Sequence, residues 1–558
     1  MRAIIGRILL ASTAMVFAGA TSAQTSLPAE ACGKLIGAMP ASVIGIPSGS
    51  VKIVTATMEA ARPMAVADRG LTPAARVTPA LPDFCMVKGE IAPIDPKAPP
   101  IKFQVNLPAR WNGKAVQYGG GGFNGTVISG LAQLPGIPYD RAGPLAQGYI
   151  TLGTDSGHET KPNEPVQLFA ANDEAFANFA HLAYKKVHDV AVAVADKAYG
   201  AKPRRFYYAG SSEGGREALT VAQRYPKDYD GVFARVPVIN WTGLIHSSYR
   251  NGLVTMGDAW MSPKQVQLVH DATLAACDLQ DGAKDNVVGN PRQCLRAFKP
   301  ASLKCKPGQA ADTCLSDAQI KAVTTLRSPY DFGFGLANGL RDYPGWGIGG
   351  EATPVSGPTG GWGSWVTGST APEWPLKQGN ARGWEYGSGA MAHIFARDPG
   401  LDVRTKYHPS EHKARVREVS ALMDSTNPDL SRFHARGGKA IMLEYMADYA
   451  QSPYAGIRYY ESVVRTLGRK RADETLRLFT APGVDHVGTG APALVDMLTA
   501  LDSWVEKGTV PANLTVVDQD VGAPGLPVKR SMPLCEWPAW PKYKAGDMTR
   551  AESFECTR

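Results

Sequence analysis

The chain contains no run of five like charges, although Lys and Arg outnumber Asp and Glu by 59 to 51. A surplus spread this thinly forms no basic stripe, so no nucleic-acid partner is expected. Past the N-terminus, no stretch approaches the roughly 18 apolar residues of a membrane span. No cysteine pair has C-x-x-C spacing and no histidine stands close enough to the cysteines to suggest zinc. There is no internal repeat, and Gly (59) with Pro (42) stays below the share at which low complexity is the better reading. What remains is ordinary globular composition, 44% hydrophobic and 20% charged. A chain of 558 residues is long enough for about two to four domain-sized units.

Residues 1–23 read as a secretory leader. Arg2 and Arg7 make a basic start, Ile8 to Ala18 form a short apolar stretch, and Thr21-Ser22-Ala23 supplies small residues for cleavage. Export to the periplasm or beyond implies an oxidising compartment, where disulfides persist. The eight cysteines are Cys32, Cys85, Cys277, Cys294, Cys305, Cys314, Cys535 and Cys556. Many connectivities are open; pairing of sequence neighbours suggests 32–85, 277–294, 305–314 and 535–556.

The first half alternates strands and helices. Strands are expected at 101–107, 114–118, 148–153, 205–209 and 231–236, and a helix over 173–198 ending at Gly200. Strands resume near 439–445 and 476–480, followed by helices at 453–467 and 491–507. This pattern predicts a mainly parallel sheet covered on both faces. The stretch 241–435 differs: helices at 263–277 and 316–327 precede a Gly/Pro/Trp-rich run over 330–390. That run holds Trp346, Trp362, Trp365, Trp374 and Trp384. These rings either form a small core of their own or line a pocket for an aromatic ligand.

Gly210-x-Ser212-x-Gly214 follows an apolar strand and precedes a helix whose small residues lie on one face. The pattern alone is unspecific, but strand–turn–helix is the context of a nucleophile elbow. A serine nucleophile needs a base and a group that orients the base, in chain order Ser, Asp/Glu, His. His486 lies in a loop directly after a predicted strand; His158 and His188 precede the serine and read as structural. Asp448 also follows a strand, with Asp485 the rival acid. The oxyanion donors would be the backbone N–H of Glu213 and one from the loop Tyr118-Gly-Gly-Gly-Gly122-Phe-Asn-Gly125. A phosphate-binding loop is the other reading, but neither the G-x-G-x-x-G context nor a P-loop lysine is present.

Between Cys277 and Cys294, Asp278, Asp281 and Asp285 lie within eight residues. Oxygen donors at this density suit calcium, although the spacing is not that of an EF-hand. An Asx-turn loop closed by a disulfide accounts for the same residues.

Taken together, these residues resemble the tannase/feruloyl esterase family over nearly the whole mature chain. The matching motifs are Trp111-Asn-Gly113, Thr154-Asp-Ser-Gly-His158, Ser212-Glu-Gly-Gly-Arg216, Arg224-Tyr-Pro-x-x-Tyr-Asp-Gly231 and Pro482-Gly-x-x-His486. The resemblance implies an α/β-hydrolase core, in two parts at 24–240 and 436–558, with an inserted lid at 241–435. It implies a triad of Ser212, Asp448 and His486, oxyanion donors at Gly122 and Glu213, and the four disulfides above. It also implies a lid calcium held by Asp278, Asp281 and Asp285 and by the carbonyls of Ala283 and Val287. No organic cofactor is implied, and a monomer is expected. In one respect the chain departs from the family, which commonly bonds a cysteine before the nucleophile to one after the histidine. Ser211 and Val487 stand there, so packing and hydrogen bonds must hold these loops, with a more mobile His486 loop expected.

The implied activity is hydrolysis of benzoate- or cinnamate-type esters through an acyl-enzyme. Trp365 and Arg382 are the candidate substrate-binding residues. A terephthalate monoester is disfavoured as native substrate, because Arg382 is only a candidate counterpart of the carboxylate-binding arginine. A catalytically silent, calcium-stabilised binding protein and an acyl transferase are the rival readings.

Overall fold

The computed structural model describes residues 24–28, 30–69, 73–352 and 360–558. The expected leader lies outside the described residues, as do residues 353–359 of the Trp-rich run. One sheet dominates. Its strands are β1 (Gly37–Met39), β2 (Val51–Glu59), β3 (Phe84–Ile91), β4 (Ile101–Pro108), β5 (Lys114–Tyr118), β6 (Ile150–Thr154), β7 (Arg205–Ser211), β8 (Gly231–Arg235), β9 (Lys439–Tyr445), β10 (Leu476–Ala481), β11 (Leu514–Gln519) and β12 (Val528–Glu536). They lie in the order β11-β12-β10-β9-β8-β7-β5-β6-β4-β3-β2-β1. The block from β10 to β6 is parallel throughout. Antiparallel arms extend it on both sides.

The parallel block is where the sequence is most apolar, and for a physical reason. A parallel sheet is covered by helices on both faces, so its strands are apolar on both sides. Every residue of β5, β6 and β8 is buried. On one face pack α1 (Ala183–Tyr199) and α2 (Glu213–Arg224). The expected helix over 173–198 is continuous from Asp173, with a π-helical turn at Asn178–Leu182 and Gly200 closing it at φ 71°.

The chain leaves the sheet after β8 and returns at its neighbour β9, and the described residues of 236–438 add no strand to it. Their principal helices are α3 (Trp241–Val254), α4 (Pro263–Cys277), α5 (Pro291–Ala297), α6 (Arg382–Ala390) and α7 (Lys413–Met423). Two apolar clusters support this insertion, and Trp346, Trp362 and Trp384 are buried in them. Those rings form a core; Trp365 faces the functional cavity described below. The core reading therefore holds for three of the rings, and a fourth lines a cavity.

After β9 and β10 come α8 (Pro453–Leu467), which lies beside α2, and α9 (Met497–Lys507), which lies on the opposite face. The last helix begins six residues later than its apolar pattern suggests. Ala493 and Leu494 instead donate to Val517 of β11, and Asp496 caps the helix by accepting from Thr499. The four disulfides join the sequence neighbours as expected, and no free cysteine remains among the described residues.

Candidate active site

Ser212 sits between β7 and α2 with φ 59° and ψ −119°. This is a strained conformation for a residue with a side chain, of the kind concentrated at functional sites. The turn is tight because glycines let three segments meet. A Cβ on Gly210 would stand 2.4 Å from the Gly214 carbonyl oxygen, and one on Gly214 would stand 2.8 Å from that of Gly120. The Gly-rich loop after β5 is thereby drawn against the first turn of α2, where Gly214 donates to the Gly120 carbonyl at 3.1 Å.

Glu217, buried in α2, holds the same loop from below. It accepts from the Gly120 N–H (3.0 Å), the Asn124 amide (2.7 Å) and the Tyr208 hydroxyl (2.6 Å). His158 lies behind the loop, its Nε2 2.7 Å from the Phe123 carbonyl. Burial keeps this imidazole neutral by lowering its pKa to about 4. His188 meets Asp189 and the Asp228 carbonyl. Both histidines are thus placed as structural groups, as the sequence reading has them.

His486, in the loop after β10, brings Nε2 to 2.9 Å from Ser212 Oγ and Nδ1 to 2.7 Å from Asp448 Oδ2. The other Asp448 oxygen accepts from the backbone of Ala450 (2.7 Å) and Gln451 (3.0 Å). The carboxylate is therefore fixed at both ends, and a proton on Nδ1 leaves Nε2 free to accept the serine proton. The rival, Asp485, is used differently. It accepts from the Val487 and Thr489 N–H groups and the Thr489 hydroxyl, closing the histidine loop on itself.

These groups open on a cavity of about 450 Å³. Gly122 and Glu213 line it beside Ser212, and Trp365 and Arg382 line it from the insertion. The sequence reading did not place its other walls, chiefly Phe123, Trp241, Leu244, Ile245, Tyr386 and Tyr449. Tyr386 had a usable signal, since it lies four residues after Arg382 and so on the same face of α6. The guanidinium stands 5.7 Å from the centre of the Tyr386 ring. The Trp365 ring lies 6.1 Å from His486 and 5.7 Å from Tyr386.

Arg235, at the end of β8, occupies the joint between the serine and histidine loops. Its Nε donates to Ser211 Oγ at 2.8 Å and its Nη1 to the Tyr445 hydroxyl at 3.3 Å. That hydroxyl donates to the Ala493 carbonyl at 3.1 Å, and a Cβ on Gly488 would meet Arg235 Nη1 at 3.4 Å. One guanidinium thus ties the nucleophile strand, the acid strand and the histidine loop where the family commonly has a disulfide. Arg235→Met is expected to lower stability by about 1–3 kcal/mol, the range for removing a buried charged donor, and to lower turnover several-fold. Adding Ser211→Cys and Val487→Cys should restore both under oxidising conditions but not under reducing ones, read by thermal unfolding and initial rates. If no crosslink forms, the two loops are not adjacent.

In the carboxylate loop each aspartate serves a turn. Asp278 accepts from the Asp285 N–H, Asp281 from Ala283 and Asp285 from Val287. Asp285 also pairs with Arg530 at 3.2 Å. Among the described residues no group of three or more His, Cys, Asp or Glu side chains is gathered as metal ligands. Even so, Asp281 Oδ2 is buried without a hydrogen-bond partner. Burial, together with the Asp285 and Asp278 charges, lifts the Asp281 carboxyl to about 7. A hard cation would relieve both conditions.

A mixed sheet with a parallel centre, a serine elbow, and an acid and a histidine after the next strands define an α/β-hydrolase. The family model described as Tannase and feruloyl esterase matches residues 85–557. The chain belongs to that family and is a carboxylic ester hydrolase. It is 36% identical to an uncharacterized esterase of Agrobacterium fabrum, over 93% of this chain and 91% of that one. It is 31% identical to the mono(2-hydroxyethyl) terephthalate hydrolase of Piscinibacter sakaiensis, over 88% and 87%. Among solved structures, feruloyl esterase B from Aspergillus oryzae superposes with a TM-score of 0.73 at 24% identity, covering 92% of this chain and 98% of that one. Tannin acyl hydrolase from Aspergillus niger superposes with 0.70 at 22%, covering 95% of each.

Proposed function

We propose that the protein is an exported serine esterase that cleaves esters of aromatic acids through an acyl-enzyme. The observation that carries this reading is the continuous relay Ser212–His486–Asp448, at 2.9 and 2.7 Å, facing an aromatic-walled cavity. His486 takes the hydroxyl proton as Ser212 attacks the ester carbonyl. Asp448 stabilises the imidazolium that forms, and the Gly122 and Glu213 amides receive the negative charge developing on oxygen. His486 returns the proton to the departing alcohol. Water, activated by the same imidazole, then releases the acid.

Arg382 in the cavity favours a second reading, in which the acid carries a remote carboxylate, as a terephthalate monoester does. Initial rates on methyl gallate, methyl ferulate and a terephthalate monoester test both. Preference for the first two supports the main reading. A preference for the third that Arg382→Ala removes supports the second, and turnover of none refutes both.

The same reading places a structural calcium ion between Asp278, Asp281 and Asp285 and the Ala283 and Val287 carbonyls. Its support is the unpartnered Asp281 oxygen. Chelation by EGTA is expected to lower the unfolding midpoint by a few degrees, since a ligand at about 100 times its Kd contributes about 2.7 kcal/mol. Excess calcium should restore the midpoint and magnesium should not. An unchanged midpoint would leave the loop as a set of Asx turns only.

A further inference from the structure

A second cleft, of about 410 Å³, lies on the far side of Trp346 from the catalytic loops, between α5 and α8. The helix α5 presents Arg292 and Arg296, four residues apart and so on one face. From α8 come Tyr454 and Arg458, at the same spacing, and Glu461 one turn further on. Trp537 and Arg327 complete the walls.

Four guanidinium groups thus face one carboxylate. Two of them are committed elsewhere: Arg327 to Glu351, and Arg458 to Asp342 at 2.9 Å. Arg292 and Arg296 have no acidic partner among the described ion pairs. Arg292 lies 5.2 Å above the centre of the Trp537 ring. Two like charges at this helical spacing repel each other, and Glu461 is the carboxylate that lines the cleft with them.

Two further groups lack partners. The Tyr454 hydroxyl and the Nε of Arg327 are buried with no hydrogen-bond partner. A buried donor left unmade costs about 1–3 kcal/mol, and both of these stand in the cleft's wall.

We infer that this cleft binds a hydroxylated aromatic carboxylate. The carboxylate meets the Arg292 and Arg296 forks, which suit its planar, two-oxygen geometry. The ring lies against Trp537 and Ile457. A phenolic hydroxyl on the ring donates to Glu461. Inorganic anions would satisfy the guanidinium groups but leave the aromatic wall and Glu461 unused. That this ligand is also the acid half of the enzyme's substrate rests on the function proposed above; the cleft itself does not.

The cleft also has a mechanical position. Its α5 wall is fastened by the Cys277–Cys294 disulfide, and its α8 wall begins five residues after Asp448. An occupant therefore ties the insertion to the loop that carries the acid.

Calorimetric titration with 4-hydroxybenzoate tests the assignment on wild-type protein, on Arg292→Ala/Arg296→Ala and on Arg382→Ala. Loss of the paired guanidinium groups should weaken this site by at least about tenfold. The double variant should hydrolyse a methyl ester at the wild-type rate, and Arg382→Ala should retain the site. Quenching of Trp537 fluorescence, absent in Trp537→Phe, should locate it. An isotherm unchanged in the double variant overturns the proposal. So does equal displacement by acetate or phosphate, which would reduce the cleft to a general anion site. The titration needs no turnover, so a failure of the esterase reading would be seen separately.

Discussion

Ser212→Ala is expected to lower turnover of an aromatic ester by at least about 10⁴-fold, the order seen when a nucleophile is removed from a relay that works as a unit. The unfolding midpoint should hardly move, because the hydroxyl contributes one partly buried hydrogen bond, to His486. Ser212→Gly sharpens the test. It abolishes activity equally, yet it releases the φ of 59° and should raise stability by up to about 1–3 kcal/mol. Loss of activity with a gain of stability is the mark of a strained nucleophile. Near-normal rates in the alanine variant, measured on protein free of wild-type carry-over, would end the serine assignment.

The second large effect concerns stability. Arg216 is fully buried one turn into α2, where it pairs with Glu213 through Nε (2.7 Å) and Nη2. Its guanidinium also reaches the Ala180 carbonyl (3.0 Å), the Met423 carbonyl (3.1 Å), the Thr220 hydroxyl (3.2 Å) and the Phe179 carbonyl (3.3 Å). One side chain thus joins the helix before β7, the first turn after the nucleophile and the end of α7. Burial pushes the Glu213 carboxyl up to about 7 even with Arg216 pulling it down. Arg216→Met leaves that acid buried without its partner and removes the donors to four carbonyl or hydroxyl acceptors. A loss of about 3–5 kcal/mol is expected, the range for breaking one side of a buried pair. Glu213→Gln added to Arg216→Met should recover part of it, since no charge then remains to be buried. Denaturant unfolding measures both, and a loss below about 1 kcal/mol in the single variant would show that the pair carries no such weight.

What could be read in advance follows from how locally each feature is determined. The elbow, the Gly-rich loop and the loops of Asp448 and His486 are each fixed by a few consecutive residues at a strand end. The parallel strands announce themselves by short apolar-rich runs, interrupted at Gln117, Thr151 and Arg477. By contrast, β2 has a register shift between Ile53 and Thr55, and most of its side chains are exposed, so its alternation is blurred. β12 carries Lys529, Arg530 and Pro533 and reads as loop. The walls of the cavity come from the loop after β5, from α2, α3, Trp365 and α6, and from the Asp448 and His486 loops, and only tertiary folding gathers Phe123, Trp241 and Tyr386. Arg235 was invisible for another reason: an arginine at a strand end ordinarily reaches water, and here it is enclosed by the loops it ties.

The insertion leaves the sheet at β8 and returns at β9, which is hydrogen-bonded directly to it. The two strands keep their register whatever lies between them. Ser212, Asp448 and His486 hang from the sheet side of that junction, while Trp365, Arg382 and Tyr386 arrive from the inserted side. On the function proposed above, reaction and selectivity are therefore separate inheritances: an exchanged insert would alter which acid is accepted while the proton relay stays where it is.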